Sequence, residues 1–230
     1  MNASRTARER ARAELTREIK EEARRQLRAS GAQGLSLRAV ARELGMVSSA
    51  LYRYFPSRDE LLTALIIDAY DALGARIEAA AGTGGGFRER WRACCTAVRE
   101  WANEHPHEYA LVYGSPVPGY QAPEATIGPA SRVPVALLSL VRDAWREGAL
   151  TEPDDALSPE LAEQARRTAA VIPPEMPGPL LVRGAIAWTQ LFGMVGFELF
   201  GHLNGTMDPA GPFFAHTVDR MADFLGLPPA

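Results

Sequence analysis

At 230 residues and 47% apolar side chains, the chain is long enough for a small module plus a larger domain, and apolar enough to build a real core. The formal net charge of −3 hides an uneven distribution: residues 1–60 hold 13 Arg and Lys against 8 Asp and Glu, a surplus of +5, so residues 61–230 carry −8. A basic end on an acidic body points to a polyanion held at one end only, and the two cysteines, Cys94 and Cys95, are adjacent, poor disulfide partners that fit a reduced, cytoplasmic protein.

Residues 1–12 are rich in Arg, Ala, Ser and Asn without an apolar face, which predicts a mobile basic arm. Such an arm is either a disordered terminus or a segment that lies against phosphates or in the minor groove. The first 35 residues read as Arg/Glu-rich helix rather than signal sequence. From Glu14 to Ser30, Leu15, Ile19, Ala23 and Leu27 recur every four residues and predict one amphipathic helix closed by Gly31. Next, Leu37, Val40, Ala41 and Leu44 fall at i, i+3, i+4 and i+7, with Ser36 where an N-cap belongs and Gly45 ending the helix. A second short helix follows directly. Two short helices joined by a tight glycine turn make a helix-turn-helix, whose second helix can lie in the DNA major groove. Ser57 with Glu60 then forms a capping box, and Leu61, Leu62, Leu65, Ile66, Ala69 and Leu73 carry a helix to about Ala80.

From there only helices and loops are predicted, so the fold class is all-α: residues 13–60 as a helix-turn-helix domain and residues 61–230 as a helical body. The expected body helices are Phe87–Glu104, Glu108–Tyr113, Pro134–Glu147, a segment over Pro159–Val171 within a proline-bounded insert, Leu180–Leu203 and Pro212–Leu225. Between Tyr113 and Arg132 the Pro and Gly content predicts a loop. Arg183, Gln190 and Glu198 interrupt the apolar run Leu180–Phe200 and argue against a membrane span. Gly184, Gly193 and Gly196 permit close approach there, and the last two helices of two subunits can form a four-helix interface that presents two helix-turn-helix units together.

Leu35–Leu62 resembles the DNA-binding domain of the TetR/AcrR family of bacterial transcriptional regulators, in the Ser after the glycine turn, the Val-Ala/Leu-Gly spacing, Leu51-Tyr52, the aromatic pair Tyr54-Phe55, and Arg58 where the family often has Lys. The segment Trp101–Tyr109 resembles the body of the subgroup that keeps a Trp/His/Gly-containing C-terminal domain. The resemblance implies a homodimer through the last two helices, a double-stranded DNA operator, and a pocket for a small-molecule effector. It places Ser48, Ser49, Ala50 and Tyr52 on the groove-facing side of the recognition helix. Hydroxyls there can bond base edges and Ala50 can meet a thymine methyl. Arg38 can reach a base or a phosphate, and Ser36, Tyr52, Tyr54 and Arg58 read as phosphate anchors. Core packing beside Phe55 is the competing reading of Tyr54, whose place the family often gives to His; ordinary solvated charge is the competing reading of Arg42 and Arg53.

Other constellations are weaker. Trp91, Tyr109, Tyr113, Trp145, Trp188 and Phe192 can line an apolar ligand pocket, and core packing explains each equally well. His105-Pro106-His107 lacks further ligands at metal-site spacing, a redox sensor at Cys94-Cys95 is an equally weak reading that the sequence leaves open, and no phosphate loop, nucleophile elbow or carboxylate pair is present. No metal, cofactor or enzymatic activity is therefore expected. The resulting expectation is a cytoplasmic dimeric repressor on a palindromic operator, released when a ligand changes the separation of its recognition helices. A ligand-independent or activating regulator, an all-α enzyme and a sequence-blind DNA-coating protein are the alternatives.

Overall fold

Good helix formers dominate the start of the chain, and helix α1 runs unbroken over Asn2–Ser30 in the computed structural model, which describes residues 2–151, 153–170 and 176–229. From Asn2 on, the stretch expected as a mobile arm is therefore helical. Helix propensity and continuity with the amphipathic turns behind it suffice, without an apolar face of its own. Arg17 adds i−3 and i+4 pairs to Glu14 and Glu21 on the exposed side. The remaining helices are α2 (Leu37–Glu43), α3 (Ser48–Leu51), α4 (Arg58–Ala81), α5 (Phe87–Glu104), α6 (Pro106–Tyr113), α7 (Ile127–Arg146), α8 (Pro159–Ala169), α9 (Gly178–Leu199) and α10 (Ala210–Leu225), with no strand among the described residues.

Two compact units result, Met1–Ala69 with Pro106–Thr126, and Tyr70–His105 with Ile127–Ala230. The first unit takes in more than the predicted residues 13–60. Its added segment is held by charge: Arg24 of α1 donates to Glu108 of α6 at 2.6 Å and to Asp68 of α4 at 2.7 Å, and Lys20 reaches the same Asp68 at 2.8 Å. Tyr120 further shares a 2.8 Å hydrogen bond with Thr63. Such ties join residues far apart in sequence, and no local pattern announces them. The apolar centre of this unit is Ile19, Ala23 and Leu27 of α1, Val40 and Ala41 of α2, Leu51 of α3, and Leu61, Leu62 and Leu65 of α4, all buried.

In the second unit Trp91, Val98 and Trp101 of α5 meet Leu137, Leu140 and Val141 of α7, Leu191 and Val195 of α9, and Val218 and Met221 of α10 in one core. Gly184 sets the α7–α9 spacing, since a Cβ there would stand 2.4 Å from Leu138 Cδ2. Arg88, buried to 7% exposure, closes the end of α10: it donates to the carbonyls of Pro228 (2.9 Å) and Leu227 (2.7 Å) and to Asp223 (2.6 Å). By length and composition α9 could cross a membrane. Nine of its residues, among them Leu180, Leu191 and Val195, lie instead in this core, which accounts for its apolar character.

Several boundaries differ from the expected ones. Helix α7 starts at Ile127, seven residues before Pro134, which sits inside it; its ring forgoes one backbone bond while Val133 and Leu137 on either side anchor the helix in the core. Pro106 is the first residue of α6, where its fixed φ suits a helix start. Helix α9 ends at Leu199 and turns follow through Thr206, whereas the apolar pattern predicts Leu203 as its last residue. Helix α8 ends at Ala169, and the expected end at Val171 lies outside the described residues.

Both cysteines are buried. Burial pushes the Cys94 thiol up to about 11 and Cys95 well above the usual thiol range. Near neutral pH about one Cys94 in ten thousand is then thiolate, the only form that reacts. We expect an aromatic disulfide reagent at pH 7 to label the folded chain at least about a hundredfold more slowly than the chain in denaturant; prompt labelling of the folded protein would contradict this placement.

Candidate nucleic-acid interface

The helix-turn-helix is fixed at its turn by a pair of backbone bonds. Gly45 takes a left-handed φ of 64°, its N–H donates to Arg42 O (3.1 Å), and Met46 N–H donates to Ala41 O (2.8 Å). This is the Schellman arrangement that ends a helix and redirects the chain at once. Helix α3 starts two residues later, with Leu51 pinned in the core and Val47, Ser48, Ser49 and Tyr52 left outside.

Most of the residues singled out as DNA contacts lie on or beside this short element. Ser48 and Ser49 are exposed and Ala50 is half-buried between them and Leu51. Tyr52 is 42% exposed and makes no side-chain hydrogen bond among the described residues. Arg38 is exposed near the start of α2. Ser36 is the N-cap: its Oγ accepts from Ala39 N–H at 3.4 Å and its own N–H donates to Gln26 Oε1 at 3.2 Å, which leaves the hydroxyl proton available.

Tyr54 and Arg58 are placed differently from their neighbours. Tyr54 is half-buried, and the Arg12 guanidinium lies 5.1 Å from its ring centroid and within 3.5 Å of Arg53 O. Arg58 turns inward. Its Nη2 donates to Ala32 O (2.8 Å), its Nε to Leu35 O (3.2 Å) and its Nη1 to Asp59 (3.3 Å). It therefore clamps the start of α4 to the turn before α2.

Two residues that sequence reasoning passed over emerge here. Val47, 70% exposed at the head of α3, offers a branched methyl surface where a thymine methyl could meet it. Nothing in the periodicity marks it, because it lies between two helices. Arg12 belongs to the predicted arm, and only the continuation of α1 brings it beside Tyr54.

The proposed ligand aromatics are divided between the two units. Tyr109 and Tyr113, with rings 5.3 Å apart, belong to the first unit, and Trp91, Trp145, Trp188 and Phe192 to the second. Trp91 is buried with its indole N–H on Val218 O (3.2 Å), a core placement. Trp188 and Phe192 make an edge contact at 6.2 Å, and Trp145 lines a cavity with Arg146, Met176 and Pro177. A separate cavity of about 540 Å³, walled by α4, α5 and α7, has none of the six in its lining.

Residues 19–65 match the family of bacterial regulatory proteins named for tetR, and residues 91–221 match the Tetracyclin repressor-like C-terminal domain. The chain belongs to the TetR family. It is 38% identical over 216 residues to the HTH-type transcriptional regulators Rv1816 of Mycobacterium tuberculosis (strain H37Rv) and Mb1846 of Mycobacterium bovis, covering 90% of this chain and 91% of each. Among solved structures it resembles SCO4313, with a TM-score of 0.80 at 30% identity over 94% of this chain and 98% of that one. PfmR, a TetR family regulator from Thermus thermophilus, shares the fold at 19% identity and a TM-score of 0.57, over 90% and 96% of the two chains. This TetR family protein is thus a helix-turn-helix transcriptional regulator, and its α2–α3 pair lies within the matched residues 19–65.

Proposed function

We propose that this TetR family regulator is a cytoplasmic homodimeric repressor that binds a palindromic operator and is released from it by a small-molecule effector. The exposed face of Ser48, Ser49 and Tyr52 on a helix held rigidly by the Gly45 turn carries the reading. Ser48, Ser49, Ala50 and Val47 meet base edges and methyls; Ser36, Arg38, Tyr52 and Tyr54 hold phosphates, Arg38 also reaching a base. Arg58 acts through position, by fixing where α2 starts.

Dimerisation is assigned to α9 and α10. Ile186 (50% exposed), Phe197 (58%) and Phe224 (40%) leave apolar surface on these helices, and Gly193 has open space over it where a second copy could approach. Two-fold symmetry would then set two recognition helices about one DNA turn apart, about 34 Å. Selection of bound duplexes from a random pool tests this reading. The recovered sequences should contain an inverted repeat with half-sites centred about one helical turn apart, or a multiple of it. Recovery of unrelated sequences would overturn it.

A further inference from the structure

The cavity walled by α4, α5 and α7 combines an apolar floor with one guanidinium, that of Arg90, which no carboxylate pairs with among the described residues. Val135, Ala136 and Leu140 of α7 and Ala81 of α4 supply the floor. The other three charged residues in the lining are held in ion pairs. Glu78 pairs with Arg132 at 2.7 Å, and Arg132 also holds Asp71 at 2.7 Å. Asp143 pairs with Arg142 at 2.6 Å. Arg90 differs: its Nε donates to Ala81 O (2.7 Å), its guanidinium lies 5.3 Å from the Phe87 ring centroid, and no carboxylate pairs with it among the described residues. The Nε bond fixes the side chain, and the two Nη groups keep donors to offer.

We propose that this cavity is the effector site and that its ligand is an amphipathic carboxylate, with the carboxylate on the Arg90 Nη donors and the apolar part against Val135, Ala136 and Leu140. The ligand is a monoanion. Glu78 and Asp143 stand in the same lining and Arg132 is already shared by Glu78 and Asp71, so acids and cations are equal in number and the second charge of a phosphate would find no unpaired guanidinium. A carboxylate takes two parallel donors from one guanidinium, which neither an alcohol nor an amide reproduces. The volume of about 540 Å³ lies in the range of small-molecule sites and admits a medium-length chain or an aromatic ring. The assignment as effector site rests on the ligand-responsive reading above; the carboxylate site itself does not.

The test is calorimetric titration of the full chain with benzoate, octanoate and dodecanoate, each beside its primary amide. At least one carboxylate should bind at least tenfold more tightly than its amide. Arg90→Met should remove that preference, and Ala136→Leu, which narrows the cavity without touching Arg90, should weaken the same carboxylate. Should Arg90→Met fail to fold, the Ala136→Leu comparison and the amide control still decide. No binding by any of the three carboxylates, equal binding of the amides, or indifference to both substitutions overturns the site. A gel-shift arm with the selected duplex separates the two readings: carboxylate binding that leaves the protein–DNA complex intact keeps the site and refutes its effector role.

Discussion

Tyr52→Ala should weaken operator binding about a hundredfold while leaving the melting temperature of the protein unchanged. The phenol is 42% exposed and makes no side-chain hydrogen bond among the described residues, so removing it costs the fold little. On the operator it would lose a charge-assisted bond to a phosphate, about 1.5 kcal/mol in each half-site and about 3 kcal/mol for a dimer that uses two. Arg58→Ala provides the contrast. Its donors hold Ala32 O and Leu35 O at 2.8 and 3.2 Å, so its loss should lower the melting temperature first and weaken DNA binding only through a misplaced α2. Thermal unfolding followed by anisotropy titration distinguishes the two. Tyr52→Ala with native affinity, or Arg58→Ala with native stability, would reverse the roles assigned to them.

Phe197→Asp should convert the protein to a monomer. At 58% exposure in the single chain this ring contributes little to its own core, and an aspartate is readily solvated there. In a two-fold interface the substitution occurs twice and places two carboxylates among apolar groups that include Ile186 and Phe224. Central aromatic residues of interfaces are worth about 2 kcal/mol or more each, so about 4 kcal/mol for the pair, roughly a thousandfold in the dimer dissociation constant. Sedimentation should show one chain instead of two at micromolar concentration, with helix content unchanged. Retention of the dimer would move the interface elsewhere on the molecule.

Local chemistry is legible in the sequence where it acts over a few residues. The Leu37, Val40, Ala41 and Leu44 spacing, the Ser36 cap and the Gly45 turn lie within ten residues, and each has a physical cause that does not depend on distant parts of the chain. The start of α1 escapes such a reading because apolar periodicity detects packed faces and is blind to a helix that needs none. Pro134 reads as a helix start from its missing N–H; the core contacts of Val133 and Leu137 outweigh that signal. Long-range choices lie beyond its reach. Nothing local tells that Arg58 spends its charge on Ala32 and Leu35, that Arg24 recruits Glu108, or that Arg90 stands without a carboxylate in a cavity the six chosen aromatics do not line. Aromatic residues in an apolar body serve core and pocket alike, and only side-chain direction separates the two.

A competition titration tests the central claim, sequence reading by the α2–α3 pair, most directly. A duplex recovered by selection and one of the same composition with scrambled half-sites would be compared at one salt concentration near 150 mM, where phosphate attraction is common to both. The protein should prefer the recovered duplex by about a thousandfold or more, and the preference should fall toward unity as Ser48, Ser49 and Val47 are replaced together by Gly. Equal affinity for the two duplexes would contradict it.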